Sequence, residues 1–181
     1  MRGAMTLDAD AILAPLNPQQ REAVTHGEGP MLILAGAGSG KTRVITHRIA
    51  YLLGEIGAAP REIVAMTFTN KAADEMRQRV EGLLGYGISG AYIGTFHAFG
   101  LRVLRANARE AGYPPGFVVY DTADQQAVVR AAMKDIGLDT KEFPPRRALS
   151  WISRRKNQLI DPQQAHQESR SAADQVLAEV Y

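Results

Sequence analysis

A short glycine-rich stretch carries the residues best suited to chemistry. Gly36, Gly38 and Gly40 alternate with Ala37 and Ser39, and Lys41 and Thr42 follow directly. Small residues let backbone N–H groups curl inward and cradle phosphate oxygens. A helix start just beyond the turn adds unpaired N–H groups and a positive dipole end. Lys41 then supplies a mobile cation for terminal phosphates, and Thr42 a hydroxyl ligand for magnesium. The pattern is that of a phosphate-binding loop, with Ala35 where glycine usually stands first. An alanine fits there if its backbone is still strand-like, with φ below zero. The competing reading is an ordinary turn with a solvated Lys41. It requires the agreement of glycine spacing, lysine, threonine and flanking pattern to be coincidence.

The chemistry needs a strand before the loop and a helix after it. The apolar run 31–35 reads as a buried strand. Val44, Ile45, Ile49, Leu52 and Leu53 recur at helical spacing beyond it, and Gly54 and Gly57 end that helix. Residues 63–67 form a second apolar run after a crossover helix, which predicts a strand parallel to the first. Phe68, Thr69 and Asn70 sit where that strand passes into a helix with Ala72, Ala73, Met76, Val80, Leu83 and Leu84 on its inner face. Residues 91–95 read as a third strand. A helix follows, with Phe96, Phe99, Val103 and Leu104 facing inward and Arg102, Arg105 and Arg109 on an outer stripe. Ligands of open α/β sheets collect along these strand ends. His97 lies on that edge, where it reads first as a capping or packing histidine. The arginine stripe reads first as a solvated face.

Upstream, Asn17 and Pro18 suit the N-cap and first position of a short helix. On its own Gln20 reads as a surface residue of that helix, although its amide can pair with an adenine edge. Residues 1–14 read as a short helix or a frayed lead-in. Asn70, Lys71 and Asp74 resemble a guanine-reading signature, but the spacing is one residue too long and follows the second strand. Residues 117–121 form an apolar run ending in Asp121. It is either a strand whose acid holds magnesium or a lead into a capping box, Asp121 to Asp124; the helical pattern through Ile136 to Gly137 favours the cap. After Pro144 and Pro145 comes a helix carrying Arg146, Arg147, Arg154, Arg155 and Lys156 and no acid. It either tracks a nucleic-acid backbone with Trp151 on the same face, or packs Trp151 inward and solvates its arginines. A final helix carries Val176, Leu177 and Val180.

Composition sets the outer bounds. The 181 residues include no Cys, which removes disulfides and thiol–metal sites. Hydrophobic residues make up 45%, enough for a folded interior, and the formal net charge of +2 neither demands nor forbids nucleic acid. No apolar run reaches membrane-spanning length. The start lacks a signal-peptide apolar block, so a cytoplasmic location and no membrane partner are expected.

Taken in order, the motifs resemble the superfamily-one DNA helicases of the UvrD, PcrA and Rep type. Residues 16–24 are similar to that family's adenine-reading Q motif. Residues 35–43 resemble its phosphate loop, including the alanine start. Residues 67–76 and 94–99 resemble the two motifs that follow, and 152–162 a segment of its inserted helical subdomain. The resemblance implies an α/β fold with a partial P-loop (RecA-like) parallel sheet flanked by helices in residues 1–112, and an inserted, mostly helical subdomain in 113–181. It implies ATP and Mg2+ as cofactors, with Lys41 catalytic, Thr42 on the metal, Gln20 at the adenine and Arg43 flanking the nucleotide. Phe68, Thr69, Asn70, Thr95, Phe96 and His97 would line a single-stranded DNA track. The basic helix would meet duplex at a single-strand/double-strand junction. Family activity is ATP-driven three-prime to five-prime translocation with unwinding.

The family's later Asp-Glu motif and its second motor domain do not occur in this sequence. The expectation is an N-terminal piece of a larger helicase that binds ATP weakly without hydrolysing it. Two other readings remain: a small P-loop kinase or NTPase using Asp121 as metal acid, and a non-catalytic DNA-binding module with a vestigial loop.

Overall fold

The computed structural model describes residues 9–181, and the part of the 1–14 expectation that precedes Ala9 lies outside them. The chain divides into two compact units, one reaching Pro115 and one spanning Gly116–Tyr181.

The first unit is built on a helix and a β-α-β turn. Helix α1 (Ala9–Leu13) and helix α2 (Pro18–Thr25) lead to α3 (Lys41–Gly54). A 3-10 turn (Pro60–Glu62) precedes strand β1 (Val64–Thr67), helix α4 (Asn70–Leu84), strand β2 (Tyr92–Thr95) and helix α5 (Phe96–Ala106). Strands β1 and β2 pair in parallel, Val64 opposite Tyr92 through Thr67 opposite Thr95. Parallel neighbours need a crossover, and α4 is that crossover. Ala73, Met76, Val80 and Leu84 form its inner face. They join Ile49, Ala50 and Leu53 of α3 and Ala65 and Ile93 of the strands in one core.

Helix α2 is fastened to α3 by polar contacts as well as packing. Val24 is fully buried beside Val44. Arg48 donates from Nη1 to the carbonyls of Val24 (2.7 Å) and His26 at the end of α2. The N-cap is reciprocal. Asn17 Oδ1 accepts from Gln20 N at 2.8 Å, and Gln20 Oε1 accepts from Asn17 N at 3.2 Å.

Two expectations fail here for one reason. Residues 31–35 are not a buried strand. Leu32 and Leu34 are 83% and 87% exposed, and among the described residues the only ladder is β1 with β2. Helix α5 buries no residue, and Phe96, Val103 and Leu104 are exposed rather than inward-facing. An apolar segment becomes a strand or a buried stripe only when a neighbour covers it. No described element covers residues 31–35, and α5 is covered only in part, where half-buried Phe99 sets its ring 5.2 Å from that of Tyr92. The sheet therefore has two strands where the sequence suggested three.

The second unit is helical: α6 (Thr122–Asp135), α7 (Pro145–Asn157), α8 (Pro162–Glu168) and α9 (Ala172–Val180). Asp121 forms the capping box, accepting from Ala123 N at 2.7 Å and Asp124 N at 2.8 Å, while Asp124 Oδ2 accepts from Asp121 N at 3.1 Å. Residues 117–120 form no strand, and Val118 is 76% exposed. Val129 and Met133 of α6 pack with Ala148, Trp151 and Leu177. Trp151 is buried, and its indole Nε1 donates to Asp174 Oδ1 at 2.8 Å.

That bond makes a local prediction. Hydrogen bonds from Ser171 and Trp151 hold the Asp174 carboxyl below its usual range, with Arg155 and Arg147 adding to them. A depressed folded pKa contributes stability above the ordinary carboxylate pKa and loses it as pH falls through the folded value. Acidification below about pH 4 should therefore loosen this unit. Asp174→Ala should cost about 1 kcal/mol at neutral pH and remove that acid-side loss. Trp151, the one tryptophan of the chain, reports both by its fluorescence. Identical acid titrations of the two forms would contradict this account.

Candidate nucleotide site and nucleic-acid edge

The loop between residue 35 and α3 is shaped by two glycines with left-handed backbone, Gly38 (φ 75°) and Gly40 (φ 88°). Gly40 is also the N-cap of α3. This backbone needs glycine at 40, and a side chain there would also stand 2.7 Å from Gln20 Nε2 and displace that amide. Ser39 Oγ donates to Gly36 O at 2.7 Å and folds the turn on itself. Lys41 lies back along the loop, with Nζ donating to Ala35 O at 3.0 Å and Gly36 O at 2.6 Å.

A cavity of about 490 Å³ opens here, lined by Gln20, Gly38, Ser39, Gly40, Lys41, Thr42, Arg43 and Arg79. Seven of these eight were expected from the sequence. Ala37 belongs to the loop but does not line the cavity. Arg79 was missed. It sits on α4, far along the chain, and no local spacing marks it. Its Nη2 lies 3.5 Å from Glu75 Oε2 on an exposed face.

Gln20 is the informative member. Its Nε2 donates to Ser39 O at 3.1 Å, and its Oε1 takes the Asn17 N–H. An amide has two donor hydrogens and two acceptor lone pairs. These two bonds fix which end is nitrogen and leave the amide one further donor hydrogen and one further lone pair.

The second cluster lies at the carboxyl ends of β1 and β2. Register sets Thr67 beside Thr95, so the starts of α4 and α5 are neighbours. Thr69 caps α4, accepting from Ala72 N at 3.2 Å, and Thr95 caps α5, accepting from Ala98 N at 3.2 Å. Phe68 is 91% exposed and Phe96 49%, with ring centroids 5.6 Å apart. Asn70 and His97 are exposed on the first turns of the two helices. Tyr92 crosses over Gly94, where a side chain would meet the phenol oxygen at 2.6 Å, and its hydroxyl donates to Thr95 O at 3.1 Å. Gly94 thereby lets the ring brace the strand end that presents Thr95 and Phe96.

A glycine loop with a lysine at the start of α3, beside two parallel strands whose ends feed helix starts, makes an α/β unit with a phosphate-loop sequence. The chain belongs to the UvrD/REP helicase N-terminal domain family, whose model matches residues 16–181. It is 47% identical over 177 residues to the ATP-dependent DNA helicase PcrA of Bacillus subtilis (strain 168), covering 98% of this chain and 24% of that protein. It is 45% identical over 172 residues to the ATP-dependent DNA helicase PcrA of Staphylococcus aureus (strain NCTC 8325), covering 95% of this chain and 24% of that relative. The chain thus spans about a quarter of the length of the curated relatives it matches. Among the described residues no helix is long and apolar enough to cross a membrane.

Proposed function

We propose that this chain is the ATP-gripping part of a DNA helicase motor. In the longer protein it serves ATP-driven three-prime to five-prime translocation on single-stranded DNA and unwinding at a duplex junction. The single observation that carries the reading is the cavity joining Gln20 to the loop residues Gly38 to Arg43. Family membership supports the DNA substrate, the second motor domain as partner elsewhere in the protein, and a cytoplasmic location. The division of the chain after Pro115 supports a motor part over residues 1–112 and an inserted helical subdomain over 113–181.

ATP is held in stages. Gln20 reads the adenine edge with its remaining donor and acceptor. Arg43 and Arg79 flank the nucleotide as cations. The amides of 38–42 and the start of α3 take the phosphates, and Lys41 swings from the Ala35 and Gly36 carbonyls to the terminal ones. Thr42 lines the cavity, and one hydroxyl suits Mg2+, which binds few protein groups and keeps phosphate and water ligands. When bound, the ion neutralises charge on the transferring phosphoryl group.

Among the described residues the cavity lining includes no carboxylate to position water or complete a metal site. The expected result is binding without turnover. A fluorescent ATP analogue binds the chain, ATP displaces it far better than GTP, and no steady phosphate release follows. Sustained ATP turnover that Lys41→Ala abolishes would overturn the inactivity of this piece. Failure to bind ATP at all would overturn the reading itself. The kinase alternative loses support because Asp121 caps α6 through Oδ1 and is not among the residues that line the loop cavity.

A further inference from the structure

Helix α4 brings a cation to the loop cavity from a distant part of the chain. Arg79 lines the cavity with Lys41 and Arg43, and among the described residues no acid shares that lining. Lys41 and Arg43 belong to α3 itself. Arg79 arrives because α4 packs along α3 in one core.

Its place on α4 is a boundary. Ala73, Met76, Val80 and Leu84 form the buried face of that helix. At 3.6 residues per turn Arg79 borders this face, and Glu75 stands further round toward solvent. Arg79 Nη2 lies 3.5 Å from Glu75 Oε2, with the two side chains 53% and 47% exposed. An ion pair this long and this well solvated is worth little, so the guanidinium leaves it easily. The arginine two residues earlier is differently placed. Arg77 Nη2 donates to Ile93 O at 3.3 Å and braces α4 against β2. Arg79 instead stands between two anionic partners: the Glu75 carboxylate beside it and the triphosphate that the cavity suits.

We propose that Glu75 and Arg79 form a charge gate on the nucleotide site. Without nucleotide, Glu75 keeps the guanidinium. When ATP enters, Arg79 leaves Glu75 and donates to phosphate oxygens, which its planar fork of N–H groups matches. Glu75 competes with ATP for one cation and so sets how tightly the site holds its ligand. The proposal rests on the nucleotide reading above and adds a regulating carboxylate that does not itself line the cavity.

The test displaces a fluorescent ATP analogue from the whole chain with ATP and with adenosine. Arg79→Gln is expected to weaken ATP about tenfold and to leave adenosine unchanged, since adenosine carries no phosphate. Glu75→Gln is expected to tighten ATP about twofold to fivefold, the worth of an exposed pair, again without effect on adenosine. The combined variant separates two mechanisms. If Glu75 acts by holding Arg79, its removal changes nothing once Arg79 is gone, and the two effects are non-additive. If Glu75 merely repels phosphate from a distance, the gain persists in the Arg79→Gln background and the proposal is overturned. An Arg79→Gln chain that binds ATP like the parent overturns it as well, and so does a Glu75→Gln chain with no gain. Equal weakening of ATP and adenosine marks a structural role for Arg79 and has the same consequence. Both side chains are half exposed, so thermal melting followed by circular dichroism is expected to match the parent for each variant. A parent chain that binds no ATP overturns this proposal and the nucleotide reading together.

Discussion

Replacing Lys41 by alanine is expected to weaken ATP binding about tenfold to a hundredfold while leaving adenosine binding unchanged. The magnitude follows from a charge-assisted hydrogen bond to phosphate, about 1.5–3 kcal/mol, with about 1.4 kcal/mol per tenfold. The size is limited by where the ammonium rests. Lys41 Nζ already holds two carbonyls, Ala35 O and Gly36 O, so ATP gains only the difference between phosphate and those partners. Adenosine makes the measurement discriminating. It presents the Gln20-reading edge and no phosphate. If ATP and adenosine weaken together, the loop has lost its shape. If neither weakens, the cavity is not a phosphate site. Displacement of a fluorescent ATP analogue by each competitor gives both affinities in one assay.

What could be read in advance was what local spacing controls. The Asn17 cap and the capping box from Asp121 to Asp124 were both legible, each closing within three residues, whereas the return bond from Gln20 to Asn17 N was not read in advance. The loop is similar, because its glycines, lysine and threonine are consecutive. The helix with Ala73, Met76, Val80 and Leu84 was legible because a single face repeats over four turns. Residues 31–35 look like a strand in composition, yet strand character resides in a ladder, and no described segment supplies one. The same limit applies to α5. Its apolar stripe was read correctly as a stripe, but burial is a property of what lies opposite. Arg79 was invisible for a third reason. It reaches the cavity only because α4 crosses between β1 and β2 and brings its surface near the loop, and nothing around Arg79 in the chain encodes that meeting. Gln20 shows the converse. Its residue type was suggestive, but only the bonds to Ser39 O and Asn17 N fix how its amide faces the cavity.

Phe68→Ala should reduce affinity for oligo-dT by about fivefold to a hundredfold, the loss of about 1–3 kcal/mol for one base–aromatic stack. Its melting temperature should stay put. Phe68 is 91% exposed and its ring touches Phe96 rather than the core, so removing it uncovers no interior. A fully solvated phenylalanine at the end of a parallel strand has little to gain from folding. It is retained at no benefit to stability unless something flat lies on it. The neighbouring helix starts explain why that partner would be a nucleotide chain. Thr69 and Thr95 cap the first turns of α4 and α5, and helix starts of this kind suit phosphate at the same edge where Phe68 and Phe96 offer rings. Phe68→Trp should therefore bind as well as the parent, since it keeps a stacking face, while Phe68→Leu should bind as poorly as alanine despite its apolar bulk. If leucine binds like phenylalanine, the contact is merely hydrophobic and the edge is not a base-stacking track. Affinity by anisotropy and stability by thermal melting, measured on the same three variants, separate these outcomes.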